Sequence, residues 1–232
     1  MNILITGHSH GLGAALCEQA LARGARVFGL SRGRLDLRSD TLRQTSCDLA
    51  DHATIVPALE LLLARDTALD LVYLNAGVLG RIADLRDTPL AEIGTVMDIN
   101  VWANKRILDW LAARDRAPTQ IILISSGAGV VGNHGWGAYA LSKATLNMLA
   151  QLYAHEMHDT HLLALAPGLI DTAMQARLRE VDTERFPAVK HLQLAHGSTD
   201  MPSAATVAAR IEHAREALRK LPTGSFADLR KL

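Results

Sequence analysis

Three residues in the stretch 126–143, SGAGVVGNHGWGAYALSK, have the types and spacing to move a proton: Ser126, Tyr139 and Lys143. A phenol ordinarily ionises near pH ~10, too high for acid–base work at neutrality. A fixed ammonium nearby favours the phenolate and lowers that value. The i, i+4 spacing places Tyr139 and Lys143 on one face of a helix. A serine hydroxyl delivered from a preceding strand end would hold the oxygen that gains or loses the proton. Tyr-x-x-x-Lys alone is a weak signal, because any amphipathic helix can carry it. Its weight depends on the elements around it.

Those elements begin at the first residues. Ile3-Leu4-Ile5-Thr6 is a short apolar run that suits a strand buried on both faces. Gly7-His8-Ser9-His10-Gly11-Leu12-Gly13 follows, and a helical pattern runs from Ala14 to Arg23. A strand, a glycine-rich turn and a helix start form a phosphate cradle, because helix N-terminal N–H groups face the anion and glycines let the backbone approach it. The spacing is Gly-x-x-x-Gly-x-Gly, distinct from the commoner Gly-x-Gly-x-x-Gly. Further strands are predicted at 26–30, 43–47, 71–74, 119–124, 161–166 and 225–229. Helices are predicted at 51–64, 89–98, 102–113, 136–156 and 203–220, the last with Ser203 as N-cap.

Thr6-Gly7-x-x-x-Gly11-x-Gly13, Asn75-Ala76-Gly77, Asn100, Ser126, Tyr139-x-x-x-Lys143 and Pro167-Gly168 stand in one order along the chain. As a set they resemble the short-chain dehydrogenases/reductases, and the resemblance runs from the second residue to the end. It implies one α/β domain over 1–232, a doubly wound Rossmann-type parallel β-sheet with helices on both faces. It also implies a hydride exchange between NADP(H) and a carbonyl/alcohol substrate, with Asn100, Ser126, Tyr139 and Lys143 as the catalytic set. By resemblance, Asn100 distorts its helix and frees a carbonyl for a water linked to Lys143. The segment Pro167, Gly168 and Thr172 holds the nicotinamide carboxamide. The ending at Gly224-Ser225-Phe226-Ala227-Asp228 resembles the sepiapterin- or benzil-reductase-like members.

Cofactor contacts are expected from Gly7, Ser9, His10, Gly11, Leu12 and Gly13 in the turn, and from Asn75, Ala76 and Gly77 after the fourth strand. His8 and His10 are further candidates for touching phosphate. Asn75 is read mainly as a tie between strands. The end of the second strand decides the cofactor, since an acid there binds the ribose 2′-hydroxyl of NAD, whereas an arginine attracts the 2′-phosphate of NADP. Ser31 and Arg32 occupy that place and no acid follows until Asp36, so NADP(H) is preferred over NAD(H). The alternative is that Arg32, Arg34 and Arg38 form a solvated loop balanced by Asp36 and Asp40. Asp48, followed by Leu49, caps the adenine pocket by resemblance, or else caps the next helix.

At the substrate end, His134 and Trp136 lie between Ser126 and Tyr139. The segment 171–202 suits a lid, with a helical pattern from Ala173 to Glu180 that puts Met174 and Leu178 on one face. Pro187, Gly197 and Pro202 are expected to interrupt it. Met174 and Leu178 either grip a substrate or pack on the domain. Arg177, Arg179 and Lys190 stand against Glu180, Asp182 and Glu184, a balance that favours a neutral, fairly apolar ketone or aldehyde over an anion.

The chain is 49% hydrophobic and 21% charged with zero formal net charge, which recommends neither nucleic acid nor a charged membrane surface as partner. No apolar run reaches membrane-spanning length and no signal peptide is read. Cys17 and Cys47 suit reduced thiols and a cytoplasmic protein. His155, His158 and His161 lack the helix face and partners of a metal site, so no metal is expected. The apolar helices carrying Trp102, Trp110, Leu146 and Leu149 are expected to pair across a two-fold axis, giving a homodimer or homotetramer. Two other readings compete with turnover. One is an NADP(H)-binding regulatory or scaffolding protein; the other is a non-redox epimerase or dehydratase on the same fold.

Overall fold

The computed structural model describes residues 1–64, 66–179 and 181–232; Glu180 and the side chains of Arg177 and Arg179, on which part of the lid's charge balance rests, fall outside the description. Strands β1 (Asn2–Thr6), β2 (Arg26–Ser31), β3 (Leu42–Ser46), β4 (Leu71–Leu74), β5 (Gln120–Ile124), β6 (His161–Ala166) and β7 (Ser225–Asp228) form one sheet. Its order is β3-β2-β1-β4-β5-β6-β7 and each neighbouring pair is parallel. Parallel strands need helical crossovers, so both faces are covered and the central strands are apolar throughout. Residues alternate between the two faces. Leu4 and Val72 point to the core under α2 (His52–Leu62), α4 (Ala103–Ala112) and α5 (Gly137–Ala154). Ile3, Ile5 and Tyr73 point to the core under α1 (Gly11–Ala22) and α8 (Ala204–Arg219).

Chain order reverses between β1 and β4, and the carboxyl ends of both strands open onto the crevice where such sheets bind ligands. Several boundaries differ from the sequence reading for local reasons. Helix α1 begins at Gly11, three residues early, because left-handed Gly11 (φ +53°) turns the chain directly into it. The α2 cap is Asp51, whose carboxylate accepts from Ala53 N at 3.2 Å, while Asp48 accepts from Ala50 N one turn earlier. Pro187 opens a helix instead of interrupting one: α7 (Pro187–Ala195) has it in the first turn, where its missing N–H costs nothing. With α6 (Ala173–Arg179), about half of the segment 171–202 is helical. Leu178, Leu192, Ala195 and Met201 pack there with Leu79.

The apolar faces of α4 and α5 also need revision. Leu146 and Leu149 are buried in the domain core and Trp110 packs against it, with the Arg114 guanidinium 4.6 Å over its ring. Trp102, in the turn before α4, and Leu141, Met148 and Leu152 on α5 remain exposed.

Candidate active site

Strand β5 delivers Ser125 and Ser126 at its carboxyl end. Ser125 is buried and donates to Asn147 Oδ1 at 2.5 Å, fixing the strand to α5. Ser126 starts a tight turn, accepting from Ala128 N at 3.2 Å. Gly129 then lies on the helix, where an added Cβ would stand 2.7 Å from the backbone of Lys143. That contact brings Ser126 over the first turns of α5, where Tyr139 and Lys143 sit.

Lys143 is buried and donates from Nζ to Ile124 O at 2.7 Å; its nitrogen is 5.6 Å from the Tyr139 ring centroid. Burial pushes its ammonium down to about 8. Burial pushes the Tyr139 phenol up, and the adjacent Ser126 hydroxyl pulls it back. The net shift of the phenol is thus upward, opposite to the lowering expected from the sequence, because desolvation disfavours its charged form as it does that of Lys143.

The helix between Leu90 and Ala112 is broken, as the family resemblance implies. Helix α3 (Leu90–Met97) passes into a wider π turn, Asp98–Trp102, with Asn100 at its centre. Asn100 O accepts from Asn104 Nδ2 at 2.7 Å, which uses one of its two lone pairs. The Asn100 side chain accepts from Val78 N and donates to Val78 O, both at 2.8 Å, and also donates to Ser142 Oγ at 2.9 Å. It thereby joins the segment after β4 to α5, one residue from Lys143.

The glycine-rich turn is built for close approach. A Cβ on Gly13 would stand 2.2 Å from Gly7 O, and one on Gly7 would stand 2.9 Å from Ala76 Cα. Thr6 Oγ1 accepts from the N–H groups of Asn75 (2.9 Å) and Ala76 (3.1 Å), and Asn75 Nδ2 donates to Thr6 O at 3.0 Å. Asn75 ties β1 to β4 as expected. Along this seam runs a cleft of about 970 Å³. Gly7, Ser9, His10, Gly11 and Leu12 line one end of it, and Ser31, Arg32, Asp48 and Leu49 the adjoining wall. Asn75, Ala76, Gly77 and Pro167, Gly168, Thr172 lead to Ser126, Tyr139 and Lys143. Gly13 and Asn100 support this wall from behind. The glycine cradle and the volume of the cleft fit a dinucleotide.

The sequence pattern described as short chain dehydrogenase matches residues 1–183. The chain belongs to the short-chain dehydrogenase/reductase family. An uncharacterised oxidoreductase of Schizosaccharomyces pombe is 35% identical over 184 residues, 76% of this chain and 74% of its own. A benzil reductase ((S)-benzoin forming) of Bacillus subtilis is 30% identical over 202 residues, 82% and 83% of the two chains. Among solved structures, the KRED1-Pglu enzyme superposes with a TM-score of 0.84 at 25% identity, covering 97% of this chain and 99% of its own. Like the family, this short-chain dehydrogenase is a nicotinamide-dependent oxidoreductase acting on a CH–OH/C=O pair.

Trp136, Met174 and Leu178 also line the cleft. Leu178 is also fully packed in the cluster beneath, so the two sequence readings of it are compatible. His134 does not line the cleft. Its Nε2 meets the Asp84 carboxylate, to which Arg185 Nη2 also donates at 2.6 Å, and its ring packs against Phe186 at 4.9 Å. His8 is also absent from the cleft, being buried behind the turn. Arg230 was not foreseen. It reaches the cleft with its Cδ 3.1 Å from a Cβ built on Gly168, while Nε and Nη2 donate to Asp228 at 2.9 and 2.6 Å. Its local signal, Asp-x-Arg after a strand, is too common to single out. Among the described residues, no group of three or more His, Cys, Asp or Glu is placed to hold a metal, and no helix is long and apolar enough to cross a membrane.

Proposed function

We propose that the chain is a cytoplasmic carbonyl reductase that prefers NADP(H), acts on neutral, apolar ketones or aldehydes, and works as a homodimer or homotetramer. The observation that carries this reading is the meeting of Ser126, Tyr139 and Lys143 at the inner end of a cleft whose outer end is the glycine cradle. The Gly7–Gly13 turn would hold the pyrophosphate, Lys143 the nicotinamide ribose, and Gly168 and Thr172 the carboxamide. When bound, the nicotinamide supplies or accepts the hydride.

In the reducing direction, Tyr139 gives its proton to the substrate oxygen. Burial keeps the phenol protonated until that step. Ser126 donates to the same oxygen as negative charge grows there. Lys143, at about 8, is largely an ammonium at neutral pH and stabilises the phenolate left on Tyr139. Asn100 holds the segment after β4 against α5, so that Lys143 keeps its place. Arg32, exposed at the cleft edge, would meet the 2′-phosphate.

Trp136, Met174 and Leu178 favour an apolar substrate. The benzil reductase relative supports an aromatic diketone as the first compound to try. The test is a panel of aryl ketones, aryl diketones and carboxylate-bearing carbonyls, each with NADPH and with NADH. Consumption of NADPH with the neutral aryl compounds is the expected result. Cofactor binding without consumption would favour a binding protein, and product formation without net consumption would favour an epimerase or dehydratase.

A further inference from the structure

The glycine-rich turn carries a side chain that the catalytic reading leaves without work. His8 lies between Gly7 and Ser9, both in the cleft wall, yet its own ring is completely buried behind them. The ring fits against β2 only because residue 29 is glycine: a Cβ there would stand 2.4–2.6 Å from ring atoms of His8.

Both ring nitrogens are engaged. Nε2 is 2.7 Å from Gln44 Oε1, and Nδ1 is 3.1 Å from Ser31 Oγ. Each partner also grips the loop that follows β2. Gln44 Oε1 accepts from Leu35 N at 2.7 Å and its Nε2 donates to Leu35 O at 3.2 Å, while Ser31 Oγ lies 2.8 Å from Gly33 O. Ser46 Oγ adds a bond to Arg32 O at 3.0 Å. Because a backbone N–H can only donate, the Gln44 atom facing Leu35 N is the oxygen, and His8 must offer it a proton from Nε2. Ser31 Oγ gives its one proton to Gly33 O, and His8 Nδ1 lies 3.1 Å from that oxygen. Burial lowers the ring's pKa, outweighing the hydrogen bonds to Gln44 and to the Leu30 backbone, which raise it.

We propose that His8 is a positioning residue for cofactor choice: through Gln44 and Ser31 it fixes the 31–35 loop and so aims Arg32 at the adenosine ribose. The inference rests on the reading that Arg32 meets the 2′-phosphate. A ring in this place that merely filled space would need no polar partners. The two roles separate with His8→Phe, which keeps an aromatic ring but no hydrogen bond, and His8→Gln, which keeps a donor and an acceptor.

Two quantities are measured: the NADPH and NADH dissociation constants by tryptophan fluorescence titration, and amide exchange at Leu35 in the apo protein. The expected result is that His8→Phe lowers the NADPH:NADH affinity ratio about tenfold, the scale of one hydrogen-bonded contact, and speeds Leu35 exchange. His8→Gln stays close to the parent in both. Gln44→Leu, which leaves the ring in place and removes its partner, repeats the His8→Phe result and serves if that variant does not fold. A parent-like ratio and parent-like Leu35 exchange in His8→Phe or Gln44→Leu would overturn the proposal, as would equal losses in His8→Gln and His8→Phe. Failure of the underlying Arg32 reading is distinguishable, because it appears in the parent protein as equal affinity for the two cofactors, and the proposal falls with it.

Discussion

Lys143, proposed as the partner of the phenol, taxes the fold that holds it. Its ammonium ionises near 8 in the folded protein against 10.5 ordinarily, with burial as the cause. Between those values the unfolded chain binds a proton that the folded one does not, so stability rises with pH through that window, and the penalty is complete below pH 8. Lys143→Met should therefore stabilise the apo protein at pH 7 by about 1–3 kcal/mol, with the gain shrinking from pH 8 to pH 9.5. Denaturant titrations at these pH values check it; a gain independent of pH would point to packing instead. A second residue-scale prediction concerns Arg32. Arg32→Ala should weaken NADPH by about 1.5–3 kcal/mol and leave NADH nearly unchanged in the same fluorescence titration; an equal loss for both would remove Arg32 from cofactor choice. At this scale the sequence was most legible where partners are close along the chain. Tyr139 and Lys143 are one helical turn apart. The Lys143–Ile124 and Asn104–Asn100 contacts fill donors and acceptors that local spacing does not announce, and the direction of the Tyr139 shift depends on burial that spacing cannot measure.

Elements were legible where hydrophobic period and caps agree. The buried strands β1, β4, β5 and β6 were found within a residue or two, and Ser203 caps α8 as expected, accepting from Thr206 N at 3.2 Å. The segment 171–202 was harder. Pro187 reads equally as a breaker or as a first-turn residue, and only the packing of Val189 and Leu192 decides. That segment is fastened outward by Arg185 on Asp84 and by Phe186 against Gly135, where a Cβ would stand 2.6 Å from the Phe186 ring. Hydrogen exchange over 173–195 should slow when NADPH and a substrate analogue bind, because Met174, Leu178 and Leu192 line the cleft. Exchange rates unchanged by ligand would mean that this segment is a fixed wall.

For the whole molecule, the doubly wound parallel sheet and its single domain follow from the alternation of strand and helix patterns. The assembly does not follow in the same way. The sequence marks α4 and α5 as apolar, and the structure divides that apolar surface, burying Leu146 and Leu149 while leaving Trp102, Leu141, Met148 and Leu152 outside. Met148→Glu combined with Leu152→Glu should therefore shift sedimentation from an oligomer toward monomer without unfolding the chain. An unchanged sedimentation coefficient would place the interface elsewhere, and a monomeric parent at micromolar concentration would remove it.

The central claim is that the Tyr139 phenol, at the inner end of the cleft, acts only in proton transfer. The most direct measurement is the rate of NADPH oxidation, followed at about 340 nm, where the reduced cofactor absorbs, for the parent and Tyr139→Phe with an aryl diketone, alongside the NADPH dissociation constant of each. The account predicts a loss of turnover of about 10²–10⁴-fold with cofactor affinity nearly unchanged. Tyr139→Phe turning over at the parent rate would contradict it.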